Sequence, residues 1–167
     1  DVFGTIGRWT DDVFHFVPSA DENNQATGTH AGENAPEYSA LREALASLGI
    51  DENLAPTWLP DGFEAGNLEI ASSTIGDTVN FVASNENGAT FSLDIIRYTS
   101  TDYLSGTQFE KDAENIEQYS NSQQTFYILS NVDTITATWS DGLLVEQIAG
   151  NISDEDMKKI IDSIGGI

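Results

Sequence analysis

The sequence predicts an α+β domain, in which an antiparallel sheet of about six or seven strands packs one face against helices. Apolar and polar residues alternate with a period of two through the middle and the C-terminal part of the chain, which is typical of half-buried strands. Apolar residues at helical spacing precede and follow these segments. Half-buried strands and one-sided helices bury their apolar faces against each other, and 167 residues suffice for one core.

The N-terminal part is predicted to contain two helices joined by a linker. Residues 1–17 carry apolar side chains at alternate spacings of four and three, which indicates one face of a helix; they are Val2, Ile6, Trp9, Val13 and Phe16. Residues 18–36 hold almost no apolar side chain to offset the entropy lost on ordering, so we expect a polar flexible linker. The folded domain then comprises residues 37–167. Its first helix begins at Pro36, which suits a first turn, and ends at Gly49.

The strands are predicted in two groups, separated by a polar crossover over residues 100–115. Gly-Asp, Asn-Gly and Asp-Gly pairs mark tight turns between neighbouring strands. The predicted strand segments are 68–70, 79–83, 91–95, a short one at 116–119, and then 126–128, 135–139 and 143–149. A closing helix follows Ser153, which suits a helix cap. Its predicted inner face is Met157, Ile160, Ile161 and Ile164.

The charge balance excludes two classes of partner. Twenty-eight Asp and Glu residues face six Lys and Arg residues, and the formal net charge is -22. The few cations are scattered, so they offer no site for nucleic acid and no docking surface for anionic lipid. The chain has no cysteine, which excludes a thiolate nucleophile and cysteine-ligated zinc. We expect no cofactor and no bound metal.

Catalytic groups are sparse. His15 stands between two Phe residues and His30 lies in the linker, so neither has an evident orienting partner. The acidic runs at residues 11–12 and 154–156 lack the spacing of a calcium-binding loop and are interpreted as helix-start charge. Outward-facing positions of a one-sided sheet explain the strand acids, although a glycosidase-like carboxylate pair among them stays open. These acids are Glu64, Glu69, Asp94, Glu117 and Glu146.

Aromatic residues supply one candidate ligand surface. Trp58, on an extended segment between two prolines, and Tyr127, on a predicted strand, could form a platform for sugar together with Trp139. The core is the favoured position of these rings. Trp139 shares a strand face with Ile135 and Ala137, as a core residue does.

Three segments resemble one bacterial family. They are FGTIGRWTDDVFHF (residues 3–16), PTWLPDGF (56–63) and WSDGLLVEQIAGNISDEDMKKIIDSI (139–164). The family is a domain of unknown function that forms the extracytoplasmic C-terminal part of anti-sigma-factor-like membrane proteins of Gram-positive bacteria. The resemblance implies a curved sheet, a membrane helix upstream of this chain, and a location outside the cytoplasm. This chain carries no membrane helix and no His/Cys zinc-binding segment, so it would not hold a sigma factor itself.

The sequence therefore favours a non-enzymatic sensor or scaffold domain of a membrane-anchored, anti-sigma-factor-like regulator. Its partner would be an extracellular ligand or protein of unknown identity. Residues 1–17 would lie beside the membrane, and Ile6, Trp9, Val13 and Phe16 are the candidate surface for coupling or partner binding. The alternative is a secreted or surface-attached module that binds glycan or protein.

Overall fold

The computed structural model describes residues 5–9, 13–18, 35–104, 108–110 and 116–165. The strands are β1 (Thr5–Trp9), β2 (Val13–Pro18), β3 (Phe63–Ser72), β4 (Gly76–Asn85), β5 (Thr90–Tyr98), β6 (Gln108–Glu110), β7 (Ile116–Ser120), β8 (Thr125–Ser130), β9 (Ile135–Asp141) and β10 (Leu144–Gly150). The helices are α1 (Ser39–Ser47), α2 (Thr101–Leu104) and α3 (Asp154–Asp162), with 3₁₀ turns at Pro36–Tyr38 and Glu52–Leu54. These elements confirm the predicted α+β class.

Seven strands form one antiparallel sheet in the order β3-β4-β5-β10-β9-β8-β7. Both predicted strand groups are present, and the short strand predicted near residue 116 is β7. Within each group, neighbouring strands follow one another along the chain. The groups meet where Leu144–Gly150 of β10 pairs with Phe91–Arg97 of β5. A register shift between Ala65 and Leu68 places a β-bulge in edge strand β3, and such bulges bend a strand.

One face of this sheet forms the core with α1 and α3. Phe81, Leu93 and Ile148 are paired in a row across β4, β5 and β10, and all three side chains are buried. Helix α1 packs against β3 and β4, and α3 packs against β9. Side chains from both helices and from the sheet belong to one buried apolar cluster. The prediction of helices on one face of the sheet is confirmed.

The boundary signals of both long helices are present in the structure, although Pro36 starts a 3₁₀ turn and α1 itself begins at Ser39. The turn at Pro36 leads into α1, and Gly49 follows the helix with a left-handed φ of 67°. At α3 the Ser153 side chain accepts a hydrogen bond of 3.0 Å from the Asp156 N–H, which satisfies one free donor of the first turn. The side chains predicted for the inner face are fully buried; Met157, Ile160 and Ile161 belong to α3, and Ile164 follows its end.

The extended segment between α1 and β3 ties the two helices together. The Arg42 guanidinium donates hydrogen bonds to the carbonyls of Ala35 and Pro56, at 3.3 and 2.7 Å. The Thr57 N–H donates to the Ser163 carbonyl, and the Thr57 hydroxyl donates to the same carbonyl. Residues far apart in sequence are thus joined through hydrogen bonds to backbone groups.

The predicted helix over residues 1–17 is wrong, because β1 and β2 form an antiparallel hairpin there. Residues such as Val, Ile, Thr, Phe and Trp favour strands, and Gly4 and Gly7 oppose a helix. The small β6 extends the hairpin to a three-stranded sheet, in the order β1-β2-β6. The expected linker begins within β2 and ends at the turn that precedes α1; residues 19–34 lie outside the described residues.

The predicted polar crossover over residues 100–115 contains α2 and β6. Tyr103 of α2 is 45% exposed. None of the helices in the described ranges is long and apolar enough to span a membrane.

Replacing Ile161 with Ala should lower the free energy of unfolding by about 2–5 kcal/mol, because the substitution leaves a cavity in a fully buried site. Urea denaturation measures the change. Val132, which is 92% exposed, provides the matched control, and Val132→Ala should shift stability by no more than about 0.5 kcal/mol. Equal denaturation midpoints for the two variants would contradict the placement of α3 in the core.

Candidate functional site

Glu146 is the most unusual polar residue of the described core. It pairs with Ile95 on β5 and with Trp139 on β9, so its side chain lies on the helix-covered face of the sheet. The residue is 0% exposed, and neither carboxyl oxygen has a hydrogen-bond partner in the described structure. Our expectation that Glu146 faces outward is therefore wrong. Leu144 and Ile148 stand two residues away on either side, and this alternation assigns Glu146 to the apolar face.

Burial is the cause of the shifted pKa of Glu146. Removal from water raises the pKa of the Glu146 carboxyl well above 4.5, because the charged form loses its hydration. A cation could offset this loss, and Arg97 lies on the same face, opposite Leu144. Its guanidinium instead donates to Asp77 Oδ2 at 2.7 Å and to the Gly49 carbonyl at 3.4 Å. The surroundings of Glu146 thus favour the neutral form of its carboxyl.

The strand acids do not assemble into a catalytic pair. Asp94 accepts a hydrogen bond of 2.7 Å from Asn80 on the opposite face of the sheet. Glu117 is bound to Lys158 of α3 at 2.9 Å. Glu64 and Glu69 are exposed on edge strand β3. These strand acids therefore do not pair with one another, and the carboxyl that Glu117 does approach, that of Asp154, shares Lys158 with it.

Metal ligands are equally dispersed in the part of the chain that the structure describes. No group of three or more His, Asp or Glu side chains converges there. Two acids at the start of α3 are engaged in ion pairs within the helix, Asp154 with Lys158 and Glu155 with Lys159. These pairs raise the pKa of both lysines and lower that of Glu155. The side chain of His15, residue His30 and the acidic run 11–12 lie outside the described residues.

The structure does not bring the candidate aromatic residues together. Trp58 is half-buried on the helix side, where its carbonyl accepts from Tyr38 and Lys159 Nζ lies 5.6 Å from its ring centre. Tyr127 pairs with Thr138 and Gln118, which places it on the opposite face of the sheet. Trp139 is buried beside Glu146, as the core interpretation predicts. One sugar could not contact Trp58 and Tyr127 at the same time.

The candidate coupling residues occupy the N-terminal hairpin. Ile6 and Trp9 belong to β1, and Val13 and Phe16 belong to β2. The helical spacing that placed them on one face does not apply to strands, whose period is two. Strand β2 also pairs with β6, through Val13 with Glu110 and two further pairs, and it contacts α2. Sequence reasoning missed this pairing, because three residues of β6 give too short a pattern to indicate a strand.

Comparison with known proteins identifies the domain. The family model described as a domain of unknown function (DUF4367) matches residues 53–164. This range includes the whole seven-stranded sheet and α3, and it leaves out the N-terminal hairpin and α1. No curated protein matches the chain. Because the match covers more than half of the sequence, the chain belongs to the DUF4367 family.

Proposed function

We propose that this chain is a non-enzymatic sensor or scaffold domain, located outside the cytoplasm in a membrane-anchored regulator that resembles anti-sigma factors. The observation that carries the proposal is the attachment of the N-terminal hairpin. Strand β2 is the central strand of the small sheet, with β1 on one side and β6 on the other. The chain upstream of the family domain is thereby joined to the crossover between β5 and β7, inside that domain.

The pairing of β2 with β6 involves few residues, as expected for a contact that opens reversibly. Five residue pairs join β1 to β2, whereas three pairs join β2 to β6. A segment held by few backbone pairs opens at a lower free energy than the core does. The hairpin could therefore leave β6 while the seven-stranded sheet stays folded, and a regulator needs two such states to transmit a signal.

The surface chemistry supports recognition rather than catalysis. The described lysines are engaged in ion pairs, and Arg97 is paired with Asp77. Arg42 is committed to two backbone carbonyls. The sequence has 28 acidic and six basic residues, so acidic side chains far outnumber the cations available to pair with them. A partner protein with a basic surface would be favoured by the resulting field.

The sequence of the gene upstream of Asp1 gives the first test. A short cytoplasmic segment followed by one membrane helix is the result that the proposal expects. A cleavable signal peptide directly before Asp1 would contradict membrane anchoring and would favour a secreted binding module.

Replacing Phe14 with Pro in the full-length membrane protein should change transcription from the promoter that the sigma factor controls. Proline cannot donate to the ladder and does not fit a central strand, so it should detach β2 from its neighbours. The matched control is Phe14→Ile, which also removes the ring but keeps the backbone N–H and a strong strand preference. Reporter activity and the thermal midpoint of the isolated domain are measured for both variants.

The expected result is altered reporter output for Phe14→Pro alone, with the thermal midpoint of the domain close to that of the parent. Identical output from the two variants, at equal protein levels, would contradict a coupling role for the hairpin.

A further inference from the structure

Glu146 occupies the junction between the two strand groups of the large sheet. Strand β10 is the fourth of seven strands, and its pairing with β5 joins the group β3 to β5 with the group β7 to β10. We call the β5–β10 pairing the seam. Glu146 lies near the middle of the seven paired residues of the seam, directly opposite Ile95.

Apolar groups surround the carboxyl on the core face. Ile95 and Trp139 flank it on the adjacent strands, while Leu144 and Ile148 precede and follow it on β10. Beyond Ile95, the next strand contributes Val79, which is also fully buried. The inner face of α3 adds only apolar side chains to this core. An ionised carboxyl here has neither water nor a counter-charge, and such burial is strongly unfavourable.

The charged and titratable groups of the neighbouring elements do not supply a counter-charge for an ionised Glu146 carboxyl. On β5, Arg97 is held by Asp77, and Asp94 lies on the other face. On β9, Asp141 lies on the same face but is exposed, and partial desolvation raises its pKa. The lysines of α3 are held in ion pairs, Lys158 by Glu117 and Asp154, and Lys159 by Glu155. Near α1, the hydroxyl of Tyr38 donates to the Trp58 carbonyl, and burial raises its pKa as well.

We infer that Glu146 is a protonation switch of the seam: the protonated side chain allows the two strand groups to pair, and ionisation drives them apart. The switch is a property of the folded domain and depends neither on a membrane nor on a sigma factor. It makes the domain sensitive to alkaline conditions, or to any partner that supplies a cation on opening.

The raised pKa of Glu146 sets the direction in which stability changes with pH. Because burial raises the pKa of Glu146 in the folded chain, the folded state binds more protons than the unfolded state above about pH 4.5. Stability contributed by this group is complete below that pH and is lost as the pH rises through the folded pKa. In this window, the equilibrium constant of unfolding rises by at most about tenfold for each pH unit.

The test compares urea unfolding of the 167-residue chain with that of Glu146→Gln between about pH 6 and 9, above the ordinary range of carboxyl titration. Glutamine keeps the shape of a protonated glutamate but cannot ionise. The matched control is Glu64→Gln, since Glu64 is an exposed strand residue of β3. We expect the unfolding constant of the parent and of Glu64→Gln to rise with pH, and that of Glu146→Gln to stay nearly constant.

Infrared spectroscopy of the parent provides a second readout that needs no variant to fold. The carbonyl stretch of a protonated carboxyl should be present at neutral pH and should disappear as the pH rises. Its loss should occur over the same pH range as the fall in the free energy of unfolding. The inference would be overturned by absence of this band at neutral pH, by a stability independent of pH, or by the same pH dependence in Glu146→Gln as in the parent.

Discussion

The pairing of β5 with β10 is the contact on which the rest of this domain depends. Every other pair of neighbours in the large sheet consists of strands that follow one another along the chain, and these pairs can form locally. Residues 91–97 and 144–150 come together only when two separate groups of strands meet. Each long helix packs on one of these groups, α1 on the first and α3 on the second. The hydrogen bonds between Thr57 and Ser163 join the segment that follows α1 to the end of α3.

A buried acid at such a junction lowers the stability of the fold, and an apolar residue there would not. The neutral carboxyl of Glu146 still loses its hydrogen bonds to water, and a typical domain is stable by only about 5–15 kcal/mol. A sensor benefits from a small margin, because a weak stimulus can then change the population of an open state. The short attachment of the N-terminal hairpin to β6 offers a second place of low stability. Both features are places at which the proposed sensor domain would change state.

Short-range sequence signals predicted much of this fold. The parts that depend on contacts between distant residues were not predicted. The caps and apolar spacing of α1 and α3, and the turn pairs of the strand groups, act within a few residues, so the sequence indicates them directly. The spacing of Ile6, Trp9 and Val13 resembles a helix, but the hairpin is completed by β6, which lies far away in sequence. Glu146 was misassigned because its residue type suggested solvent, although its alternation with Leu144 and Ile148 indicated the core.

Native-state hydrogen exchange at increasing urea concentration tests the central role of the seam most directly. If the two strand groups are stable only when paired, the amides of β4, β5, β9 and β10 should exchange with one common free energy, equal to that of global unfolding. Their dependence on urea should also be the same. Protection that persists in β4 or in β9 after the seam amides of β5 and β10 have exchanged would contradict this account, because one group would then be folded without the other.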